Sequence, residues 1–306
     1  MVKIAYIFPG QGSQFVGMGR EFYDSSKEAQ AVFSQADQII PGLIDVIFNG
    51  PDEKLTSTKF CQPAIFTVSI AGLKVLEVHP KFKNCSVQFA CGLSLGEYSA
   101  LCAAGALSFE DALKLVERRS FFMEEARRLK KGAMAAVIGY DKEKLLEVCK
   151  KTGAEVANFN SPEQIVITGE AAKVEAASKM ISEVGAKRVI PLDVSGAFHS
   201  SLMAPAVAKF EQELKKVNFK RPAFPIVSNV DGKPASEPTQ IQHNLAQQIT
   251  SSVQWVDSIQ FISSQSVEHF FEIGPGTVLK GLMRKINPSL KVYNIQKPED
   301  IEGFNI

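Results

Sequence analysis

The pentapeptide Gly92-Leu93-Ser94-Leu95-Gly96 follows an apolar run that ends at Cys91 and precedes helix-forming residues from Glu97 to Ala106. A serine between two glycines at a strand-to-helix corner is typical of a nucleophile elbow, where a tight turn exposes the hydroxyl group. The turn also places the N–H of Leu95 at a helix N-terminus, where it can hold a developing oxyanion. The alternative is a chance match in a loop, and the predicted strand and helix on either side favour the nucleophile.

The composition indicates a soluble globular protein with one large domain, or one that carries a smaller domain, because 45% of the 306 residues are apolar and 22% are charged. The net charge of +1 does not favour nucleic acid or an anionic membrane surface. No uninterrupted apolar run approaches the roughly 18 residues that a membrane-spanning helix needs. The five cysteines include no C-x-x-C pair, which predicts reduced core residues and no zinc site.

The chain begins with a predicted strand, Val2 to Phe8, and no signal peptide precedes it. This arrangement predicts a protein of the cytoplasm, or of an organelle after removal of a transit peptide. The next loop is Pro9-Gly10-Gln11-Gly12-Ser13-Gln14. Position 15, where the dinucleotide-binding pattern requires a third glycine, is Phe15, and no lysine follows as in a P-loop. A nucleotide site is therefore disfavoured, although the loop offers free backbone N–H groups and the amide of Gln11.

Strands alternate with helices over most of the chain, which predicts a parallel sheet covered on both faces. Residues 132–195 differ, because their predicted order is βαββαβ within about 60 residues, the arrangement of a ferredoxin-like unit. This unit would interrupt a catalytic core made of residues 1–131 and 196–306. The core would then be discontinuous in sequence.

The helix predicted from Phe109 to about Leu129 carries one charge on its apolar face. Ser108 followed by Asp111 predicts its N-terminal cap. At 100° per residue, Arg119 falls in the middle of the apolar stripe, whereas Arg118 falls on the polar side. A buried arginine cannot lose its proton and therefore needs an anion. The sequence leaves open an internal salt bridge, a side chain that extends to solvent, or a bound anionic ligand.

A serine nucleophile needs a base, and His199 is the strongest candidate. The other histidines, His79, His243 and His269, lie in a polar loop, a polar helical run and a structural strand. His199 lies among glycine and small residues, and it follows the serine in the chain order of elbow enzymes. No acid partner stands out, although Asp193 is near in sequence, and a backbone carbonyl could orient the imidazole instead.

Several motifs, taken together and in order, resemble those of the malonyl-CoA:acyl carrier protein transacylase family over nearly the whole chain. They are Phe8-Pro9-Gly10-Gln11-Gly12-Ser13-Gln14, Gly92-Leu93-Ser94-Leu95-Gly96-Glu97-Tyr98, Arg119 with Met123, Gly196-Ala197-Phe198-His199-Ser200, Val253-Gln254-Trp255 and Gly274-Pro275-Gly276. The chain departs from the family pattern at Leu93, where a histidine is common, and at Ser252, where a proline often stands. The resemblance implies an α/β-hydrolase-like core with a ferredoxin-like subdomain.

By this resemblance, Ser94 takes the malonyl group from coenzyme A as an ester, and His199 is the base, oriented by a main-chain carbonyl near Gln254. The N–H groups of Gln11 and Leu95 would form the oxyanion hole. Arg119 would bind the free carboxylate of malonate. Other residues would line the acyl or pantetheine site, namely Met123, Asn160, Phe198 and Gln254.

The implied reaction is a ping-pong transfer from malonyl-CoA to the phosphopantetheine thiol of acyl carrier protein, in type II fatty acid biosynthesis. Coenzyme A thioester would be a substrate, with no cofactor and no metal. The implied protein is a monomer that binds neither nucleic acid nor membrane. The alternatives are an acyltransferase of a polyketide pathway, a serine esterase or thioesterase with the same elbow, and a non-catalytic protein that binds acyl carriers.

Overall fold

The computed structural model describes residues 1–194 and 196–304. Ser195, at the end of the predicted inserted unit, and residues 305 and 306 lie outside this description. The strands, in chain order, are β1 (Val2–Phe8), β2 (Cys85–Gly92), β3 (Gly132–Ile138), β4 (Glu155–Ser161), β5 (Gln164–Glu170), β6 (Arg188–Pro191), β7 (Ile226–Val227), β8 (Pro234–Ala235), β9 (His269–Ile273) and β10 (Lys291–Ile295).

The α-helices account for most of the remaining chain. In chain order they are α1 (Arg20–Ser25), α2 (Lys27–Ile39), α3 (Leu43–Asn49), α4 (Asp52–Thr56), α5 (Thr58–Val78), α6 (Gly96–Ala103), α7 (Phe109–Leu129), α8 (Lys142–Thr152), α9 (Ala171–Glu183), α10 (Ala204–Leu214), α11 (Pro238–Gln248), α12 (Trp255–Ser264), α13 (Val278–Ile286) and α14 (Pro298–Glu302). Short 3₁₀ turns cover 80–84 and 201–203.

The larger sheet is six-stranded, with the order β10-β9-β1-β2-β7-β8. Its neighbours are parallel except for β7 and β8, which form a short antiparallel pair. The register places Phe8 beside Gly92 and Ile7 beside Glu272. The carboxyl ends of β1, β2 and β9 therefore meet at one edge of the sheet, where ligands bind in open parallel sheets. The predicted parallel sheet is confirmed.

The smaller sheet is built from residues 132–191, which run β3-α8-β4-β5-α9-β6. Its strand order is β4-β5-β3-β6, and each neighbouring pair is antiparallel. One face packs on α8 and α9 through a separate apolar cluster that includes Leu145, Ile167 and Ile181. Successive side chains along each strand therefore point alternately into this cluster and to the opposite face of the sheet.

The two sheets are joined by the segment that precedes α12. The N–H of Phe159 donates to the carbonyl of Val253 at 3.0 Å, and the N–H of Val253 donates to Ala157 at 2.8 Å. These bonds extend the edge of β4 by one parallel bridge between Asn158 and Val253. They hold β4 of the smaller sheet against the segment that leads into α12.

Helix α5 is long and apolar because it lies inside the protein. Within the described residues, the stretch Lys59–Val78 has the length and composition of a membrane span, and so does the pair α2 with α3 if it is counted as one span bent by 120°. The most apolar window of Lys59–Val78 is 78% buried inside the protein, as expected of a core helix. All five cysteines are free; Cys61, Cys91 and Cys149 are buried, whereas Cys85 and Cys102 are half-buried.

Helix α7 begins and ends where the sequence predicts. The hydroxyl of its N-cap residue Ser108 accepts a hydrogen bond from the N–H of Asp111 at 3.0 Å, which satisfies one of the free donors of the first turn. Arg118 is exposed, whereas Arg119 is only 1% exposed. The helical phase therefore sets which of the two adjacent arginines lies inside the protein.

Candidate active site

The serine at the centre of the predicted elbow lies in the turn between β2 and α6. Its φ is 53°, in the left-handed region that non-glycine residues rarely adopt. A Cβ on Gly92 would lie 2.0 Å from the carbonyl carbon of Gly96, and a Cβ on Gly96 would lie 2.1 Å from the carbonyl oxygen of Phe8. Both glycines are therefore required by the close approach of backbone segments, and Ser94 is left at the tip of the turn.

His199 lies beside this serine, as predicted. Its Nε2 is 2.8 Å from Ser94 Oγ, and its Nδ1 lies 2.8 Å from the carbonyl oxygen of Gln248 and 3.1 Å from that of Ser251. A carbonyl can only accept, so the hydrogen-bond network assigns the proton to Nδ1 and leaves Nε2 to accept from the serine. Burial, together with the charge of Arg119, lowers the pKa of His199 to about 4. The imidazole is therefore neutral at neutral pH and available as a base.

Main-chain carbonyls orient His199, as the sequence predicts, and two of them face its Nδ1. The one at 3.1 Å belongs to Ser251, three residues before Gln254, and the nearer one, at 2.8 Å, belongs to Gln248, the last residue of α11. The last carbonyls of a helix have no partner within it, so they are free to accept from the imidazole. Gln254 itself is the N-cap residue of α12 and donates its N–H to the carbonyl of Asn229 at 2.8 Å. Its side chain was predicted to line the acyl site, but it does not line the cavity beside Ser94.

Arg119 reaches the nucleophile from α7. Its guanidinium donates to Ser94 Oγ at 2.8 Å, to Gln62 Oε1 at 2.7 Å and to Gln248 Oε1 at 3.0 Å. These three acceptors are neutral, and no carboxylate of residues 1–194 or 196–304 forms an ion pair with it. Its Nε is buried without a partner among the same residues. Burial of a cation whose hydrogen-bond partners are all neutral is unfavourable, and an added anion would offset this cost.

A buried carboxyl group lies behind Arg119. Glu97 is 3% exposed, and its Oε2 accepts from Gln248 Nε2 at 2.6 Å and from the N–H of Asn229 at 3.2 Å. Burial raises its pKa to about 7, although these hydrogen bonds and the charge of Arg119 favour the ionised form. The amide of Gln248 therefore separates an acid on its donor side from a cation on its acceptor side.

A cavity of about 300 Å³ opens over the serine, between the larger sheet and the smaller one. It brings together most of the predicted site residues, which are Gln11, Ser94, Leu95, Arg119, Met123, Asn160, Phe198 and His199. The Oδ1 of Asn160 is buried without a hydrogen-bond partner in the described chain. The N–H groups of Gln11 and Leu95 donate to no other described residue. The cavity thus offers free polar groups beside the hydroxyl.

A second cavity, of about 350 Å³, lies on the outer side of α7. Surface charges of both signs line it together with Phe121, and it contains none of the predicted site residues. Across the described ranges, no group of three or more His, Cys, Asp or Glu side chains is arranged to hold a metal ion. Ser94, His199 and Arg119 bring a hydroxyl, an imidazole and a guanidinium together at the site.

Sequence reasoning missed four residues of this network. They are Gln62, Glu97, Asn229 and Gln248. Some had a local signal: Gln62 is a polar residue within the apolar run of α5, and Asn229 precedes the Asp231-Gly232 turn. Gln248 had none, because it lies in a polar helix where a glutamine is ordinary.

Residues 5–295 match the model of the acyl transferase domain family. The chain is also 47% identical over 310 residues to the malonyl CoA-acyl carrier protein transacylase of Bacillus subtilis. This alignment covers 99% of this chain and 96% of that protein. This chain belongs to the malonyl CoA-acyl carrier protein transacylase family.

Solved structures of the malonyl CoA-acyl carrier protein transacylase family share its fold. The acyl-carrier-protein-S-malonyltransferase of Bartonella henselae superimposes with a TM-score of 0.94 at 41% identity, over 99% of this chain and 98% of that one. A malonyl-transacylase solved in complex with a type II PKS acyl-carrier protein has a TM-score of 0.93 at 36% identity, over 98% of each chain. The mixed α/β fold is therefore that of the transacylase family, and the resemblance found in the sequence is confirmed.

Proposed function

We propose that this protein transfers the malonyl group of malonyl-CoA to the phosphopantetheine thiol of acyl carrier protein through an ester on Ser94. One observation carries the proposal: Arg119 Nη2 lies 2.8 Å from Ser94 Oγ, on the hydroxyl that His199 also contacts. A nucleophile beside a buried cation without an anionic partner is suited to an acyl group that ends in a carboxylate. The names of the relatives, and the carrier complex of one of them, support the same reaction.

The first half-reaction is acylation of the serine. His199 Nε2 accepts the hydroxyl proton as Oγ attacks the thioester carbonyl, and Gln248 holds the Nδ1 proton so that the ring does not rotate. The N–H groups of Gln11 and Leu95 stabilise the oxyanion, and each contributes roughly 3 kcal/mol by analogy with measured oxyanion holes. The protonated imidazole then gives its proton to the leaving thiolate of coenzyme A.

The second half-reaction is the reverse of the first, with a different thiol. The pantetheine thiol of the carrier loses its proton to His199 and attacks the malonyl ester, and Ser94 leaves with the proton returned to it. Arg119 holds the malonate carboxylate through both steps. An acetyl group would leave the buried guanidinium without an anion, so the site disfavours it. Met123, Asn160 and Phe198 line the cavity that would receive the acyl group and the pantetheine arm.

We also propose that residues 1–131 and 196–306 form an α/β-hydrolase-like catalytic core, and that residues 132–195 form a ferredoxin-like subdomain over the active site. The order β4-β5-β3-β6 of the smaller sheet supports this description. We also propose a cytoplasmic monomer of type II fatty acid biosynthesis that uses coenzyme A thioester as substrate, without cofactor or metal, and binds neither nucleic acid nor membrane.

The test is intact-mass spectrometry of the protein mixed separately with malonyl-CoA, methylmalonyl-CoA and acetyl-CoA. The expected result is a malonyl adduct on Ser94 that is absent in Ser94→Ala and is discharged when holo-acyl carrier protein is added. Failure of malonyl-CoA to label the wild type would overturn the proposal. Hydrolysis of malonyl-CoA without a thiol acceptor, at the rate of transfer, would indicate a thioesterase instead.

A further inference from the structure

The side chain of Asn229 closes a ring around the nucleophile elbow. Its Oδ1 accepts from the N–H of Ser94 at 2.6 Å, and its Nδ2 donates to the carbonyl of Gly92 at 2.7 Å. The amide therefore bonds to the backbone on both sides of Leu93, as a neighbouring strand would. Asn229 is 1% exposed and follows the short strand β7, so this support comes from a segment far away in sequence.

The elbow needs such support because its conformation is unfavourable. A non-glycine residue in the left-handed region costs on the order of 1 kcal/mol or more, and it persists only where the surroundings hold it. The φ of Ser94 is 53°. The carbonyl of Ser94 is held by Gln248 Nε2 at 3.0 Å, whereas its N–H is held by Asn229. Both polar groups of the Ser94 backbone are thus fixed by side chains.

The backbone of Asn229 is itself fixed at two points. Its N–H donates to Glu97 Oε2 at 3.2 Å, and its carbonyl accepts from the N–H of Gln254 at 2.8 Å. These bonds connect it to α6, which follows the elbow, and to the first turn of α12. Because the Ser94 N–H only donates and the Gly92 carbonyl only accepts, the side-chain amide has its oxygen toward Ser94 and its nitrogen toward Gly92.

We propose that Asn229 is a positioning residue for the nucleophile, an inference that rests on the proposed role of Ser94. Asn229 does not line the cavity, so it acts through the backbone of the elbow. Loss of its amide would let the elbow relax, which would move Oγ away from His199 and the N–H of Leu95 away from the oxyanion. Arg119 and the cavity walls would keep their places. The rate of acylation falls while the affinity for malonyl-CoA is retained.

The experiment compares wild type and Asn229→Ala in rapid mixing with malonyl-CoA, followed by intact mass. The expected result is acylation about 10- to 100-fold slower at saturating malonyl-CoA, as for small misplacements of reacting groups, with KM unchanged. The final fraction of malonylated protein should equal that of the wild type, because a displaced hydroxyl lowers only the rate. Unfolded protein would instead lower the final malonylated fraction. The matched control is Asn244→Ala, a buried asparagine of α11 outside the site, which keeps the wild-type rate.

Asn229→Asp is the second variant, for the case that Asn229→Ala does not fold. It keeps the side-chain volume and the acceptor for the Ser94 N–H, and it loses the donor to Gly92. We expect its rate per malonylated chain to be about 10-fold below that of the wild type. The positioning role would be overturned if the folded variants acylate at the wild-type rate per malonylated chain. It would also be overturned if only the KM for malonyl-CoA changes. A wild type that malonyl-CoA does not label would overturn the proposed function itself.

Discussion

Arg119 and Ser94 are hydrogen-bonded to each other, with 2.8 Å between Nη2 and Oγ. The cation is thus in direct contact with the nucleophile. The same nitrogen also donates to Gln248 Oε1 at 3.0 Å. The backbone carbonyl of Gln248 in turn orients His199. Nucleophile, base and cation therefore share one glutamine.

Arg119→Ala should remove the preference for malonyl over acetyl groups. Each hydrogen bond between charged partners contributes about 1.5–3 kcal/mol, so we expect malonylation to fall about 100-fold or more while acetylation is retained or gained. The measurement is the ratio of acylation rates with malonyl-CoA and acetyl-CoA. Arg118→Ala, one residue away and exposed, is the control and should leave the ratio unchanged. An unchanged ratio in Arg119→Ala would contradict our account of this residue.

The acylation rate should stay high at mildly acidic pH. The base must be neutral, and burial together with Arg119 lowers the pKa of His199 from its usual 6.5 to about 4. We therefore expect kcat/KM for malonyl-CoA to be constant from neutral pH to about pH 5 and to fall near pH 4. The measurement is a pH profile of acylation, with circular dichroism at each pH to confirm folding. A profile that falls near pH 6.5 would show that the imidazole is not shielded in this way.

Glu97→Gln should make the fold more stable at neutral and alkaline pH. Burial raises the pKa of this carboxyl from 4.5 to about 7, so the folded state keeps a proton that the unfolded state releases between these values. The resulting stability is fully present below pH 4.5 and is lost as the pH rises through 7. The variant does not titrate, and its advantage should grow over this range by on the order of 3 kcal/mol.

Urea unfolding of the wild type and Glu97→Gln at pH 5, 6, 7 and 8 measures this difference. His199 titrates in the opposite sense, because its lowered pKa gives stability as the pH rises through 4 to 6.5. The comparison is therefore made between the two proteins at each pH, where the contribution of His199 cancels. A difference in the free energy of unfolding that does not change with pH would mean that Glu97 is ionised at all of these pH values.

Gly96→Ala should be strongly destabilising, because its Cβ would lie 2.1 Å from the carbonyl oxygen of Phe8. Backbone cannot give way as a flexible side chain can, so we expect a loss of about 3 kcal/mol or more, or failure to fold. Gly281→Ala in α13 is the matched control, since nothing lies within 4 Å of the added Cβ. It should stabilise the helix by about 0.5–1 kcal/mol. Thermal unfolding of both variants decides the point, and equal effects would contradict it.

Local pattern was enough to predict much of the fold. The bounds of β1 and α7 agree with the sequence prediction, because strand alternation, helical phase and the Ser108 cap act over a few residues. The parallel sheet followed from the alternation of strands and helices. The short β8 was not predicted, since a two-residue strand leaves no periodic pattern.

The sequence by itself determined the chemical groups of the candidate site. Ser94 was marked by its glycines, His199 by its position after the serine, and Arg119 by its phase on an apolar helix face. The turn after Ser94 indicated Leu95, and family resemblance added Gln11, Met123, Asn160 and Phe198. All five line the cavity.

Only the tertiary structure decided what surrounds these groups. The carbonyl of Ser251 lies near Gln254 as expected, but the carbonyl nearest to His199 Nδ1 belongs to Gln248. The amide that holds Ser94 comes from Asn229, 135 residues along the chain. Every residue has a carbonyl, and glutamines and asparagines are common. Composition and spacing therefore do not distinguish the carbonyl that orients His199 or the amide that holds the backbone of Ser94. Which of them lies free at a helix end or points at the elbow is set by the pairing of β7 with β2 and by the end of α11 beside Ser94 and Glu97. No short stretch of sequence encodes these positions.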